Sequence, residues 1–169
     1  MSLFIIMKHI SSFIVIVLLL CTAACTPKKI ASDITAKIMA NGAPKMEQEY
    51  DVEIAQSASL TLLKMLETFQ YDNPKNKVMN TLLARSYANY AQGFLELELL
   101  KLKGGDPVRY TKILERTKTF YERGKDYGLQ GLTQNGSFKK AVTGNIQTFE
   151  KVVKGLGESN VPDLFWTAM

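Results

Sequence analysis

Beyond an apolar opening segment, hydrophobic positions along this chain recur at intervals of three and four rather than two, a pattern that predicts helices and no strands. A first, weak helix is expected over Lys28 to Asn41, with Ile30, Ile34 and Ile38 on one face. Asn41-Gly42-Ala43-Pro44 should end it, because Gly and Pro continue a helix only at a cost. A second is expected from about Asp51 to Tyr71, where Ala55, Ala58, Leu62, Leu66 and Phe69 repeat at 3-4-4-3 beside Ser59 and Leu63. Asp72 to Asn76 breaks the chain. A third, Lys77 to Lys103, carries Leu83, Tyr87, Tyr90 and Phe94 at 4-3-4. Ala84, Ala88 and Ala91 lie among them, small enough for another helix to approach closely. Gly104-Gly105 stops it. Asp106 and Pro107 open a fourth as N-cap and first-turn proline. That helix reaches about Leu132, with Ile113, Thr117, Phe120, Gly124, Tyr127 and Gly131 on one face. After Asn135-Gly136-Ser137 a fifth is expected over Phe138 to Leu156, closed by Gly157, and Pro162 opens a sixth through Leu164, Phe165 and Trp166. Six helices with short loops predict an all-α array of antiparallel helix pairs.

The opening segment reads differently. Lys8 and His9 supply a short cationic start, Ile10 to Leu20 is apolar except for Ser11 and Ser12, and Thr22-Ala23-Ala24-Cys25 follows. This is the layout of a secretory signal. The small residues before Cys25 make the segment resemble a bacterial lipobox, with cleavage after residue 24 and lipid attached to Cys25. It departs from that pattern in carrying Thr22 where leucine is commonest. Cys21 is the poorer acceptor, because Leu20 is too large for the position before the cut. Met7 gives a tidier start than Met1. The unbroken run Phe13 to Cys21 is well short of the ~20 residues a membrane-spanning helix needs, so the expectation is an anchored protein. Thr26 after the cysteine favours the outer membrane, by resemblance to enterobacterial sorting.

Cleavage would also remove chemistry. Taking residues 1–24 from 169 leaves 145, without His9, the only histidine, and without Cys21. With Cys25 lipidated, internal disulfides, His or Cys zinc sites, Ser-His triads and Cys-His dyads are all excluded. Removing Lys8 from the 21 Lys and Arg leaves 20 against 16 acids, a net charge of +4 that says little about partners. The length suits a single domain over 47–169 behind a linker and weak helix at 25–46.

Paired helices of about 34 residues suggest tetratricopeptide-like repeats, and Leu83-Ala84 followed by Tyr87 fits such a repeat's first helix, although taken alone these are ordinary core spacings that a generic helical bundle explains better. A longer resemblance is carried by Tyr50 to Ala55, Leu62 to Glu67, Asp72-Asn73-Pro74, Leu82-Leu83-Ala84, Tyr87, Tyr90-Ala91 and Phe94. Phe120 to Leu129 and Val161 to Trp166 extend it. In order and spacing these resemble the T-component of TRAP (tripartite ATP-independent periplasmic) transporters over residues 47–169. The resemblance implies a periplasmic, membrane-anchored lipoprotein that assembles as a homotrimer, docks the transporter's periplasmic substrate-binding subunit, and offers a ligand route through its repeat domain. Members of the family continue past the Pro-x-Leu-aromatic-Trp segment, so the chain reads as truncated at its C-terminus. The expectation is that Trp166 and Phe165 lack a helix to bury against.

Candidate contact residues come from two patterns. Arg109, Lys112, Arg116 and Arg123 fall at 3-4-7 spacing on the fourth helix, a basic stripe suited to an anionic ligand or acidic partner. A solvated face offset by Glu115 and Glu122 is the simpler reading of the same stripe. Tyr87 and Tyr90, with Phe94, could line a ligand route, although their helical spacing equally describes core packing. Glu96 and Glu98, two apart on a helix, point away from one another and support no acid/base pair. Gly104-Gly105 is too short for a phosphate loop. No catalytic residue, metal site, cofactor or nucleic-acid module is expected. The leading expectation is a non-enzymatic docking lipoprotein. Its alternative is a generic repeat lipoprotein scaffolding an envelope assembly, and a carboxylate-based hydrolase stands behind both.

Overall fold

A computed structural model describes residues 27–169, with side chains from residue 29 onward. The signal segment and Cys25 therefore lie outside the described residues. Helices and their connections make up everything described, with no strand among these residues. The elements are α1 (Pro27–Glu47), α2 (Val52–Asp72), α3 (Lys77–Tyr90), a π-helical segment (Ala91–Glu96), α4 (Leu97–Leu102), α5 (Pro107–Leu132), α6 (Gly136–Val142), α7 (Ile146–Lys154), a 3-10 turn (Glu158–Asn160) and α8 (Val161–Ala168).

Side-chain caps set most of the starts. The Asp51 carboxylate accepts from the N–H groups of Glu53 and Ile54, Asn76 from Met79, Asp106 from Val108 and Arg109, and Asn135 from Ser137 and Phe138. Each satisfies donors that a helix N-terminus leaves bare. The glycine stop is met by Gly104 at φ +80°, the left-handed region a Cβ would oppose.

The core forms where α2, α3 and the π segment meet. Leu63 and Leu66 of α2 pack with Met79, Leu82, Leu83, Tyr87 and Tyr90 of α3, with Leu95, and with Ala36 of α1. α5 crosses α3 closely because both present small residues there. A Cβ on Gly124 would sit 3.2 Å from the Ala84 carbonyl oxygen and 3.2 Å from the Tyr87 Cβ. Asn80, wholly buried, is satisfied by a bond from Gln70 Nε2 at 3.3 Å and by its own donation to the Pro74 carbonyl at 3.0 Å. Gln70 also reaches Gln130 of α5 at 2.9 Å, so one amide network ties α2, α3 and α5 together.

Four expectations need correction. α1 does not end at Asn41 but continues through Gly42 and Pro44 to Glu47. Its end is held from outside: the Glu47 carboxylate takes bonds from Arg85 and from Asn89 Nδ2 of α3. Tertiary contacts there override the local cost of glycine and proline. The buried face of α1 is also not the isoleucine row. Ser32, Ala36, Met39, Ala40 and Ala43 turn inward, while Ile30, Ile34 and Ile38 face solvent. Asp33 fixes that rotation, its Oδ1 accepting from Asn73 at 2.9 Å and from Asn76 at 2.7 Å in the α2–α3 turn.

The fifth expected helix is broken into α6 and α7 at Thr143-Gly144-Asn145. Asn145 caps α7 by accepting from the Thr148 N–H. In one straight helix Phe138 and Phe149 would stand about 16 Å apart along the axis. The break brings their rings to 5.8 Å. Finally, Trp166 does find a partner. α8 packs on α3 and α5, with the Trp166 ring 5.6 Å from the Arg85 guanidinium. Asp163 of α8 accepts from Thr81 and pairs with Lys77 at 2.7 Å. Phe165 remains half exposed.

Candidate functional site

Two constellations stand out, one open and one closed. The open one is a groove of about 270 Å³ between the C-terminal half of α1, α2, and α3 with its π segment. Its apolar lining includes Met39, Leu62, Leu66, Leu82 and Phe94, and its polar lining Arg85, Ser86, Asn89 and Glu47. The π segment matters here. Its wider turn falls where Tyr90, Gly93 and Phe94 reach the groove, and such insertions are frequent at functional positions. Arg85 joins three elements at this place, reaching Glu47 of α1 from α3 and carrying Trp166 of α8 over its guanidinium. Its Nε–H is buried with no hydrogen-bond partner among the described residues. A mostly apolar concavity with a few placed donors suits binding of a small amphipathic molecule.

The closed constellation lies between α2, α3 and α5. The Glu67 carboxylate accepts from the Tyr87 hydroxyl, from Tyr127 at 3.3 Å and from Lys64 at 2.6 Å. Burial pushes the Glu67 carboxyl up, but these bonds outweigh it and hold its pKa below the ordinary value. Burial and the bond to Glu67 push Tyr87 up to about 12, against a smaller opposing effect of Arg123. Tyr127 is raised by burial, then by the charge of Glu67 and the bond to it. A carboxylate held ionised and already accepting three bonds is a poor proton acceptor, so this cluster reads as an interhelical clamp.

The sequence-predicted residues divide between these places. Arg123 is exposed but reaches back to Tyr87, its Nη1 3.5 Å from the hydroxyl and its guanidinium 6.0 Å from that ring, and the contact to Tyr87 raises its pKa. Arg116 lies over Tyr90 and Phe120 at 5.8 and 5.5 Å. Arg109 pairs with Glu98 at 2.8 Å, and Lys112 is exposed. The basic stripe is thus spread among separate partners rather than converging on one anion. Tyr87 and Tyr90 are both in the core, and Tyr90 also borders the groove. Glu96 accepts from Tyr121 at 2.7 Å, and burial followed by this bond pushes the Tyr121 phenol up to about 12.

Sequence reasoning missed Arg85, Glu47 and Asn89. The first and last are ordinary polar positions on a helix, and Glu47 lay beyond the expected end of α1. Among the described residues, no three His, Cys, Asp or Glu stand close enough to hold a metal ion, and no helix is long and apolar enough to cross a membrane.

The model of the TRAP transporter T-component family matches residues 48–169. A relative, an uncharacterized protein of Treponema pallidum (strain Nichols), is 25% identical over 121 residues, which cover 70% of this chain. The aligned stretch spans 38% of that relative's length. No solved structure matches. With the family model covering well over half of its residues, the chain belongs to the TRAP transporter T-component family.

Proposed function

We propose that this protein is the membrane-anchored docking component of a TRAP-type transporter. In this reading Cys25 carries a lipid at the periplasmic face of a bacterial membrane, the outer one by preference. The helical domain, assembled as a trimer, holds the transporter's substrate-binding subunit close to that membrane and performs no catalysis. The observation that carries the reading is the family match across residues 48–169.

The groove supports a ligand role within the same reading. A molecule with an apolar body would contact Met39, Leu62, Leu82 and Phe94, and a polar group on it would meet the wall formed by Arg85, Ser86 and Asn89. Burial of the apolar body would supply most of the affinity, and the polar wall its orientation. Ligand transfer would follow from holding this groove beside the binding subunit's own cavity.

Isolation of the anchored protein from crosslinked cells tests the association. Recovery of a TRAP substrate-binding subunit crosslinked to residues 48–169 is expected. Recovery of other envelope proteins with no transporter subunit among them would replace this reading with a generic envelope scaffold.

A further inference from the structure

α1 presents an apolar row that the fold leaves uncovered. Ile30, Ile34 and Ile38 are 46%, 54% and 64% exposed and stand one turn apart, a line about 12 Å long at 1.5 Å per residue. With about 3.6 residues per turn, Lys37 and Lys45 fall on the same side of the helix. The helix's charges are sorted about this row. Asp33 is turned to Asn73 and Asn76, and Glu47 to Arg85 and Asn89. Lys37 and Lys45 make no ion pair among the described residues. Both acids are thus engaged by the fold, while these lysines and the isoleucines are left outside.

The place of α1 in the chain adds an independent observation. It begins at Pro27, two residues after Cys25, and Ile30 follows within the first turn. A lipid on Cys25 would put that end of the helix at the bilayer surface. Three half-exposed side chains offer far less than the ~800 Å² per partner of a stable protein interface. An apolar row edged by unpaired cations instead matches the boundary between acyl chains and anionic headgroups. There isoleucines bury shallowly and lysine stems extend their ammonium groups toward phosphate.

We propose that the outer face of α1 lies on the membrane, embedding Ile30, Ile34 and Ile38 among anionic lipids as a second attachment beside the lipid on Cys25. The inference rests on the lipid-anchor reading given above. It adds that the helix, as well as the lipid, touches the bilayer.

The test uses the mature protein reconstituted in phosphatidylethanolamine–phosphatidylglycerol vesicles. Nitroxides are placed by Ile30→Cys, Ile34→Cys and Ile38→Cys, with Lys118→Cys on the exposed side of α5 as the control. All three row positions are expected to collide with membrane-dissolved oxygen more than with an aqueous nickel chelate, and the control to show the reverse. Nickel accessibility matching the control would place the row in water and overturn the proposal. Shielding from both reagents would mean a protein cover, such as a second copy, and would overturn it equally. Intact mass reports separately whether Cys25 is acylated. If it is not, the anchor reading fails, and the row is judged by partition of the unacylated protein into the same vesicles. Combined Ile30→Asn, Ile34→Asn and Ile38→Asn substitution is expected to weaken that partition by about tenfold or more. Unchanged partition, with helix content intact, would overturn the proposal.

Discussion

Replacing Gly128 by alanine should loosen α8 from the body of the protein. In helix α5 the substitution has a favourable side, since alanine is better than glycine in a helix interior by about 1 kcal/mol. The packing side opposes it. An added Cβ would lie 2.0 Å from the Thr167 Oγ1, 2.8 Å from its Cβ and 3.1 Å from its Cα. Rotating the hydroxyl away would break its bond to the Asp163 carbonyl and would still leave the other two contacts. Carbon atoms pack at roughly 3.5–4.0 Å, so α8 must retreat by about 1 Å. Overpacking of this kind costs about 1–3 kcal/mol. The retreat also strains the Asp163 contacts to Lys77 and Thr81 and the seating of Trp166 on Arg85. A net loss of up to about 2 kcal/mol is expected after the helix gain is subtracted. Urea unfolding followed by circular dichroism measures the global loss. Trp166, the one tryptophan, reports on α8 directly, and its emission should shift red and change at lower urea than the helix signal. Gly42→Ala is the matched control. It lies within α1 with nothing within 4 Å of the added carbon, and should stabilise by about 0.5–1 kcal/mol. Wild-type stability and unchanged Trp166 emission in Gly128→Ala would refute the close approach of α5 and α8.

Three further outcomes follow from the interior. Asn80→Ala should cost about 2–3 kcal/mol in urea unfolding, because it strips the Pro74 carbonyl of its donor and Gln70 of one acceptor inside the core. The folded pKa of Glu67 lies below the ordinary 4.5. Its contribution is therefore fully present above the unfolded value and lost as pH falls through the folded one. Glu67→Gln should flatten stability against pH below 4.5, which acid titration of unfolding would show. Tyr87 is raised to about 12, so its contribution is present below the ordinary value of 10 and lost as pH rises through the folded value. In a phenolate absorbance titration Tyr87→Phe should remove one late-ionising group, and loss of an ordinary one instead would contradict the burial of that hydroxyl.

How much of this was legible in the sequence depended on what each signal encodes. α2, α3 and α5 could be read because large apolar residues repeat there at helical spacing and each start carries Asp or Asn at the cap. α1 misled because most of its inward face is built of Ser32, Ala36, Ala40 and Ala43, residues too small to register as strongly hydrophobic, while its three isoleucines face outward. The split between α6 and α7 was hidden because Gly144 and Asn145 sit within a pattern that helical periodicity alone would carry through. Tyr87 and Tyr90 were visible as candidates, yet spacing could not separate core from groove, and Tyr90 serves both. Arg85 left no signal, since its importance comes from Glu47 and Trp166, distant in sequence and brought to it only by the fold.

Sedimentation velocity of the purified protein mixed with the substrate-binding subunit of its own cell's TRAP transporter tests the central claim most directly. The account predicts a faster co-sedimenting species at micromolar concentrations. Two independent boundaries at those concentrations, with both proteins folded, would contradict the docking role.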